Sequence, residues 1–251
     1  MTDHRGNVRT EPSHKRVRIR FGGEQIVDTI DALYVWEGPW YPQYYVPLAD
    51  VAAGVLVDPA EGERSPSRGR STAYTVRAGD DQAVGAAWRY PESEIEALRE
   101  RVRFAWDAMD AWFEEDEEIF VHPRNPSTRV QILSSSRHVV VSIDGVVLAD
   151  THRPTFLYET NLPRRTYVDP ADVGWDALVP TATTSLCPYK GEAAAYWSAV
   201  TPVSTYTDVA WSYPDPVRES APIAGLVAFY DERVDVAVDG IVQARPRTRF
   251  A

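Results

Sequence analysis

The chain repeats itself at a fixed offset of 122 residues. Val17 falls on Val139, Gly23 on Gly145, Asp28-Thr29 on Asp150-Thr151, Glu37 on Glu159, and Tyr45-Val46 on Tyr167-Val168. The same register carries Ala49-Asp50-Val51 onto Ala171-Asp172-Val173, Leu56-Val57 onto Leu178-Val179, Pro66 onto Pro188, Gly69 onto Gly191 and Ala73-Tyr74 onto Ala195-Tyr196. One residue of slippage then brings Ala87-Trp88 onto Ala210-Trp211 and Tyr90-Pro91 onto Tyr213-Pro214. One more sets Phe104-Ala105-Trp106-Asp107 against Ala228-Phe229-Tyr230-Asp231. So many identities in one register mean duplication. The period is too long for a solenoid unit, so each copy has to bury a core of its own.

The expected organisation is a first β repeat domain over residues 15–126 and a second over 127–245. Residues 1–14 read as a disordered start and 246–251 as a tail. Two prolines and a cluster of turn residues between His122 and Thr128 mark the connection.

Within each copy the pattern is that of strands. Arg16 to Phe21 and Val139 to Ile143 alternate or are β-branched, and each ends in a turn, Gly22-Gly23 or Asp144-Gly145. The second is a two-residue hairpin signal. One stretch conflicts: Ile95, Leu98, Val102, Ala105, Met109 and Trp112 recur at helical spacing, whereas the matching stretch of the second copy reads as two strands. Duplicated domains keep their fold, so the repeat is followed, with at most a short helix over Glu92 to Arg101. Asp58 to Arg70, rich in Glu, Arg, Ser, Pro and Gly, reads as an exposed loop. The fold class expected is mainly β, two tandem copies of a small antiparallel β domain with minor helix.

Composition excludes several functions. A net charge of −11 disfavours nucleic acid, which demands Lys and Arg against its phosphates. The local basic stretch Lys15, Arg16, Arg18, Arg20 alternates like the wet face of a strand. Cys187 is the only cysteine, so no internal disulfide and no cysteine-paired zinc site can form. His122, His138 and His152 show no ligand spacing, and Glu114 to Glu118 reads as a solvated acidic face; no metal or cofactor is expected. No apolar run is long enough to span a membrane, and the polar start does not read as a signal peptide, so a cytoplasmic protein is expected. Phosphate-loop, dinucleotide and nucleophile-elbow patterns are missing as well.

Short motifs in the second copy resemble a known family. These are Glu159-Thr160-Asn161-Leu162-Pro163, Arg165-Thr166-Tyr167-Val168, Asp172-Val173, Cys187-Pro188-Tyr189-Lys190-Gly191, Tyr196 and Trp211-Ser212-Tyr213-Pro214. In order and spacing they resemble the domain of unknown function 427 family. The first copy matches through Glu37, Tyr45, Asp50-Val51, Trp88-Arg89-Tyr90-Pro91 and His122-Pro123-Arg124. The resemblance implies a small β structure similar to the β-tent group, which includes zinc-binding members, although this chain lacks the paired cysteines of such sites. It implies no activity.

The repeat isolates one loop. It is Cys187-Pro188-Tyr189-Lys190-Gly191 in the second copy and Ser65-Pro66-Ser67-Arg68-Gly69 in the first. Pro and Gly persist, as a turn requires, and the cation persists; Cys and Tyr do not. Glu37 and Glu159 close an apolar strand in both copies, and Asp50 and Asp172 recur beyond. Such carboxylates either hydrogen-bond a turn or sit as a pocket acid beside the loop cation. Trp88, Tyr90, Trp211 and Tyr213 alternate along strands, as core residues or as a pocket wall. The ligand-binding candidates are therefore Glu159, Tyr167, Cys187, Tyr189, Lys190 and Tyr213. Two functions remain open: a small-molecule-binding tandem β protein with a polar-aromatic pocket in the second copy, or an enzyme using Cys187 or Glu159 with Lys190. A structural or interaction module is the third reading.

Overall fold

The computed structural model describes residues 8–248, which form two compact units that divide between Asn125 and Pro126. The first unit runs β1 (Arg9–Pro12), β2 (Val17–Phe21), β3 (Glu24–Thr29), β4 (Leu33–Trp36), β5 (Gln43–Pro47) and β6 (Leu56–Ser65). It continues β7 (Gly69–Ala78), β8 (Asp81–Arg89), β9 (Arg101–Phe104), β10 (Ala111–Glu114) and β11 (Glu117–Ile119). The second runs β12 (Val130–Ser134), β13 (Val139–Ile143), β14 (Val146–Thr151), β15 (Thr155–Glu159), β16 (Arg165–Val168) and β17 (Leu178–Thr181). Then follow β18 (Ser185–Cys187), β19 (Gly191–Ala193), β20 (Ala195–Val200), β21 (Thr205–Ser212), β22 (Val227–Phe229), β23 (Asp235–Val238) and β24 (Ile241–Val242).

Each unit holds one seven-stranded and one four-stranded antiparallel sheet, and the second adds a two-stranded β18–β19 sheet. The long sheets are ordered β1-β4-β5-β9-β8-β7-β6 and β12-β15-β16-β22-β21-β20-β17. The short ones contain β11-β10-β2-β3 and β14-β13-β23-β24. Position for position this is one topology written twice. Every strand pair from β1/β12 to β7/β20 follows the 122-residue offset, the second copy breaking the long β6–β7 hairpin into β17, β18, β19 and β20.

Local chemistry explains the elements. In β2, Val17, Ile19 and Phe21 are buried and Arg18 and Arg20 are not, so one face enters the core. The cations in and just before β2 meet carboxylates: Arg16 grips Asp28 at 2.7 and 2.6 Å, Arg18 reaches Asp116 at 2.9 Å, and Lys15 reaches the inward-facing Glu114. Gly22-Gly23 and Asp144-Gly145 all take positive φ, 58°, 74°, 50° and 76°, the two-residue turn whose twist matches the strands it joins. Thr29 donates to Asp50 at 2.5 Å and Thr151 to Asp172 at 2.6 Å. These recurring aspartates are thus latches, tying the 3-10 turns Leu48–Asp50 and Pro170–Asp172 to the ends of β3 and β14.

The structure corrects several expectations. Arg9–Pro12 is a strand paired with β4, so the N-terminal start is ordered from there; residues 1–7 lie outside those described. Asp58 to Arg70 is not a loop but most of the β6–β7 ribbon, whose register shifts accommodate its irregular residues while its outer edge faces water. The helical periodicity of Ile95 to Trp112 resolves into one 3-10 turn (Glu96–Leu98), β9, a second turn (Trp106–Ala108) and β10, with Leu98, Val102, Met109 and Trp112 buried by the sheets. Strand pairing sets Ala87 against Phe104 and Ala210 against Phe229, so Phe104 corresponds to Phe229 and Arg103 to Ala228, one residue from the register read in sequence. Glu114 is not on a solvated face: the alternation of β10 turns it inward beside Trp112, where it takes hydrogen bonds from Tyr44 at 2.8 Å and from Lys15. Among the described residues no helix is long and apolar enough to cross a membrane.

Candidate functional site

In both copies the end of one strand, the middle of the next and the Gly-ended loop meet. In the first, Glu37 stands just past β4, Tyr45 lies in β5 and Arg68 in the turn between β6 and β7. Tyr45 donates to Glu37 at 2.7 Å and accepts from Arg68 at 2.9 Å, while Arg68 also pairs with Glu37 at 2.5 Å. Arg103 of β9 takes the other carboxylate oxygen at 3.1 Å. The two guanidinium groups lie over aromatic faces, Arg68 4.8 Å from the Tyr90 ring centre and Arg103 5.1 Å from that of Trp88. Burial pushes the Tyr45 hydroxyl above the ordinary phenol range, and the adjacent Glu37 charge adds to it.

The second copy keeps the frame and changes the fittings. Gly191 takes φ +94°, like Gly69 at +90°, and so closes the same tight hairpin, in which the Lys190 amide donates to the Cys187 carbonyl at 3.3 Å. A side chain at Gly191 would meet the Val217 backbone at 3.3 Å, so the position is closed to larger residues. The Lys190 ammonium is held by Glu159, both side chains being about nine-tenths buried. Tyr167, fully buried, lies in a cluster with Tyr196, Trp211 and Tyr213, and Cys187 packs against it, half-buried. Of the six candidates, Tyr167, Cys187 and Tyr213 thus share one cluster, and Glu159, paired with Lys190, acts on Tyr167. The Tyr189 carbonyl accepts from the Ser220 hydroxyl at 2.9 Å.

One atom in this cluster is anomalous. The Tyr167 hydroxyl is buried, yet among the described residues nothing bonds it. Its counterpart Tyr45 is bonded twice. Lys190 has spent its charge on Glu159 alone, and Ala228 replaces Arg103. Burial pushes the Tyr167 phenol well above its usual range, tempered by the Trp211 indole N–H, which stands off ordinary hydrogen-bond geometry. Tyr213 is pushed up likewise, by burial first and then by the facing Cys187, Tyr167, Tyr196 and Tyr230. Both phenols are therefore neutral, able to donate or accept. Cys187 has these rings as its neighbours, and the Lys190 charge that sequence reasoning set beside the thiol belongs to Glu159.

Sequence reasoning missed a second polar group in this copy. Arg165 forms a two-bond fork with Glu232 at 2.6 Å each, the Glu232 side chain being wholly buried. Thr248 adds a bond to Glu232 at 2.5 Å, and the Arg165 guanidinium lies 5.9 Å from the Trp211 ring centre. Next to it burial raises the Asp231 carboxyl to about 6, against the pull of Arg165. Arg165 and Glu232 face Gln43 and Asp107 in the repeat, so comparing the copies offers no shared pair to notice. His138 and His152 stack at 4.1 Å, and among the described residues no cluster of His, Cys, Asp or Glu has the makings of a metal site.

The family described as Domain of unknown function (DUF427) matches the chain twice, over residues 9–115 and 131–240. No curated protein matches the chain.

Proposed function

The chain belongs to the domain of unknown function 427 family in a tandem two-copy form, and we propose that its second copy binds a small organic molecule at the Glu159, Tyr167, Cys187, Lys190 and Tyr213 cluster. The orphaned Tyr167 hydroxyl carries this reading. A buried hydroxyl without a partner costs free energy, and buried polar groups in native proteins are otherwise almost always bonded. The neighbours have the composition of a ligand site: aromatic walls from Trp211 and Tyr213, an internally neutralised Glu159–Lys190 pair and a thiol. Because the ion pair is self-compensated, the preferred molecule is uncharged at this point and carries one oxygen or nitrogen for Tyr167.

The test combines native mass spectrometry of the purified protein with ligand-observed NMR against a set of neutral heteroaromatic fragments. Wild type should retain a non-covalent adduct or bind fragments, and Tyr167→Phe should lose both while keeping its fold by circular dichroism. The reading fails if no adduct and no fragment signal depends on Tyr167.

A further inference from the structure

The first copy differs from the second in a consistent chemical direction. Where the second has Cys187, Tyr189, Lys190 and Ala228, the first has Ser65, Ser67, Arg68 and Arg103. A thiol, a phenol, an ammonium and a methyl are replaced by two hydroxyls and two guanidinium groups. We infer that the first copy holds a separate site, for a compact oxyanion such as a carboxylate or phosphate group, between Arg68 and Arg103.

Charge counting supports this. Both guanidinium groups converge on one carboxylate, Glu37, at 2.5 and 3.1 Å. Beyond Glu37, the groups that act most strongly on Arg68 are the neutral phenols Tyr45 and Tyr90. Among Arg68, Arg103 and Glu37 there is thus one positive charge more than the carboxylate neutralises, on arginine side chains that are only 14% and 25% exposed. Holding an uncompensated charge away from water is costly, and an anion relieves the cost. The second copy, with one cation per carboxylate, has no such surplus.

Donor geometry points the same way. Arg68 spends its Nε on Ser65 at 3.2 Å and one terminal nitrogen on Tyr45 and Glu37. Arg103 spends one terminal nitrogen on Glu37, and its Nε is buried with no hydrogen-bond partner. A guanidinium has five N–H donors in a planar fork that matches an oxyanion. The Tyr90 and Trp88 rings, together with the bonds to Glu37, restrain both guanidinium groups and so limit what ordering the remaining donors would cost a ligand.

Calorimetric titration of the full chain with inorganic phosphate and, separately, sodium acetate tests the proposal. At least one probe should give a saturable signal that weakens with added sodium chloride. Arg103→Ala should weaken it by about tenfold or more, the loss of one hydrogen bond between charged groups. Arg103→Lys, which keeps the charge and loses the fork, should fall between. Arg16→Ala, an exposed arginine paired with Asp28, should leave it unchanged. Whichever probe binds more tightly identifies the oxyanion class. The inference is overturned if neither probe binds, or if Arg103→Ala and Arg103→Lys, both folded by circular dichroism, bind like wild type.

Discussion

Removing one hydroxyl from each copy should have opposite effects. Tyr45→Phe deletes a phenol oxygen that donates to Glu37 at 2.7 Å and accepts from Arg68 at 2.9 Å. Hydrogen bonds to charged groups contribute about 1.5–3 kcal/mol each. Glu37 and Arg68 still hold each other at 2.5 Å in the variant, which offsets part of the loss. The net destabilisation should be about 2–4 kcal/mol. Tyr167→Phe deletes an oxygen that makes no hydrogen bond of ordinary geometry among the described residues, with the Trp211 indole N–H as its nearby donor. The ring stays, so no cavity opens, and a desolvation penalty of about 1–3 kcal/mol is removed. In protein stripped of small molecules, Tyr167→Phe should therefore stabilise its copy by up to that amount. Amide hydrogen exchange read on peptides spanning β5 and β16 separates the two units and reports each opening free energy. If Tyr167→Phe lowers protection in β16 as Tyr45→Phe does in β5, the hydroxyl has a partner and the argument for a ligand loses its basis.

Other outcomes are as definite. The raised Asp231 carboxyl keeps its proton in the folded state after the unfolded chain has lost it, so its contribution to stability falls as pH rises from 3.8 through about 6. Asp231→Asn should remove that fall, gaining about 2–3 kcal/mol in urea denaturation near neutral pH and little in acid. Glu232→Ala removes the carboxylate that forks onto the buried Arg165 guanidinium, and should cost on the order of 3–5 kcal/mol in the same assay. Because Lys190 is engaged by Glu159 and Cys187 is packed among aromatic rings, iodoacetamide should label Cys187 slowly in the native protein and rapidly in denaturant; fast native labelling would instead favour an activated thiol.

The duplication was legible because identical residues sit where the backbone needs them, as at Gly69/Gly191 and Gly23/Gly145, or where a latch needs them, as at Asp50/Asp172. The register failed where the two copies exchange residues along one strand. Arg103 and Ala105 of the first become Ala228 and Tyr230 of the second. Tyr230 rests 4.3 Å from Trp211, replacing the guanidinium that lies over Trp88. Such a swap preserves the covering of a tryptophan while erasing the identities an alignment follows, and the chance match of Asp107 with Asp231 pulled the reading one residue aside. Glu37 and Arg68 showed their persistence in sequence but not their meeting, because they stand thirty-one positions apart with β5 and β6 between them. Glu114 was hidden inside a run of carboxylates: a charge run is read as one environment, whereas a strand sends its neighbours to opposite faces.

Two sheets of the same order and register within one chain pose a problem during folding, since an edge strand of one copy is in principle a partner for the other. Misassembly of this kind is a known failure of repeated domains. Here the outermost strands have diverged. β1 is Arg-Thr-Glu-Pro, anchored by Arg9 stacking 3.9 Å over Trp36, and Pro12 gives it no amide to donate at its last position. β12 is Val-Gln-Ile-Leu-Ser and packs Val130 and Ile132 against the second core. Placed beside β15, the first strand would bury Thr10 where Ile132 belongs and bring Arg9 to a tyrosine instead of its tryptophan. Each strand is thus a poor fit, in charge and bulk, for the sheet edge that the other one covers.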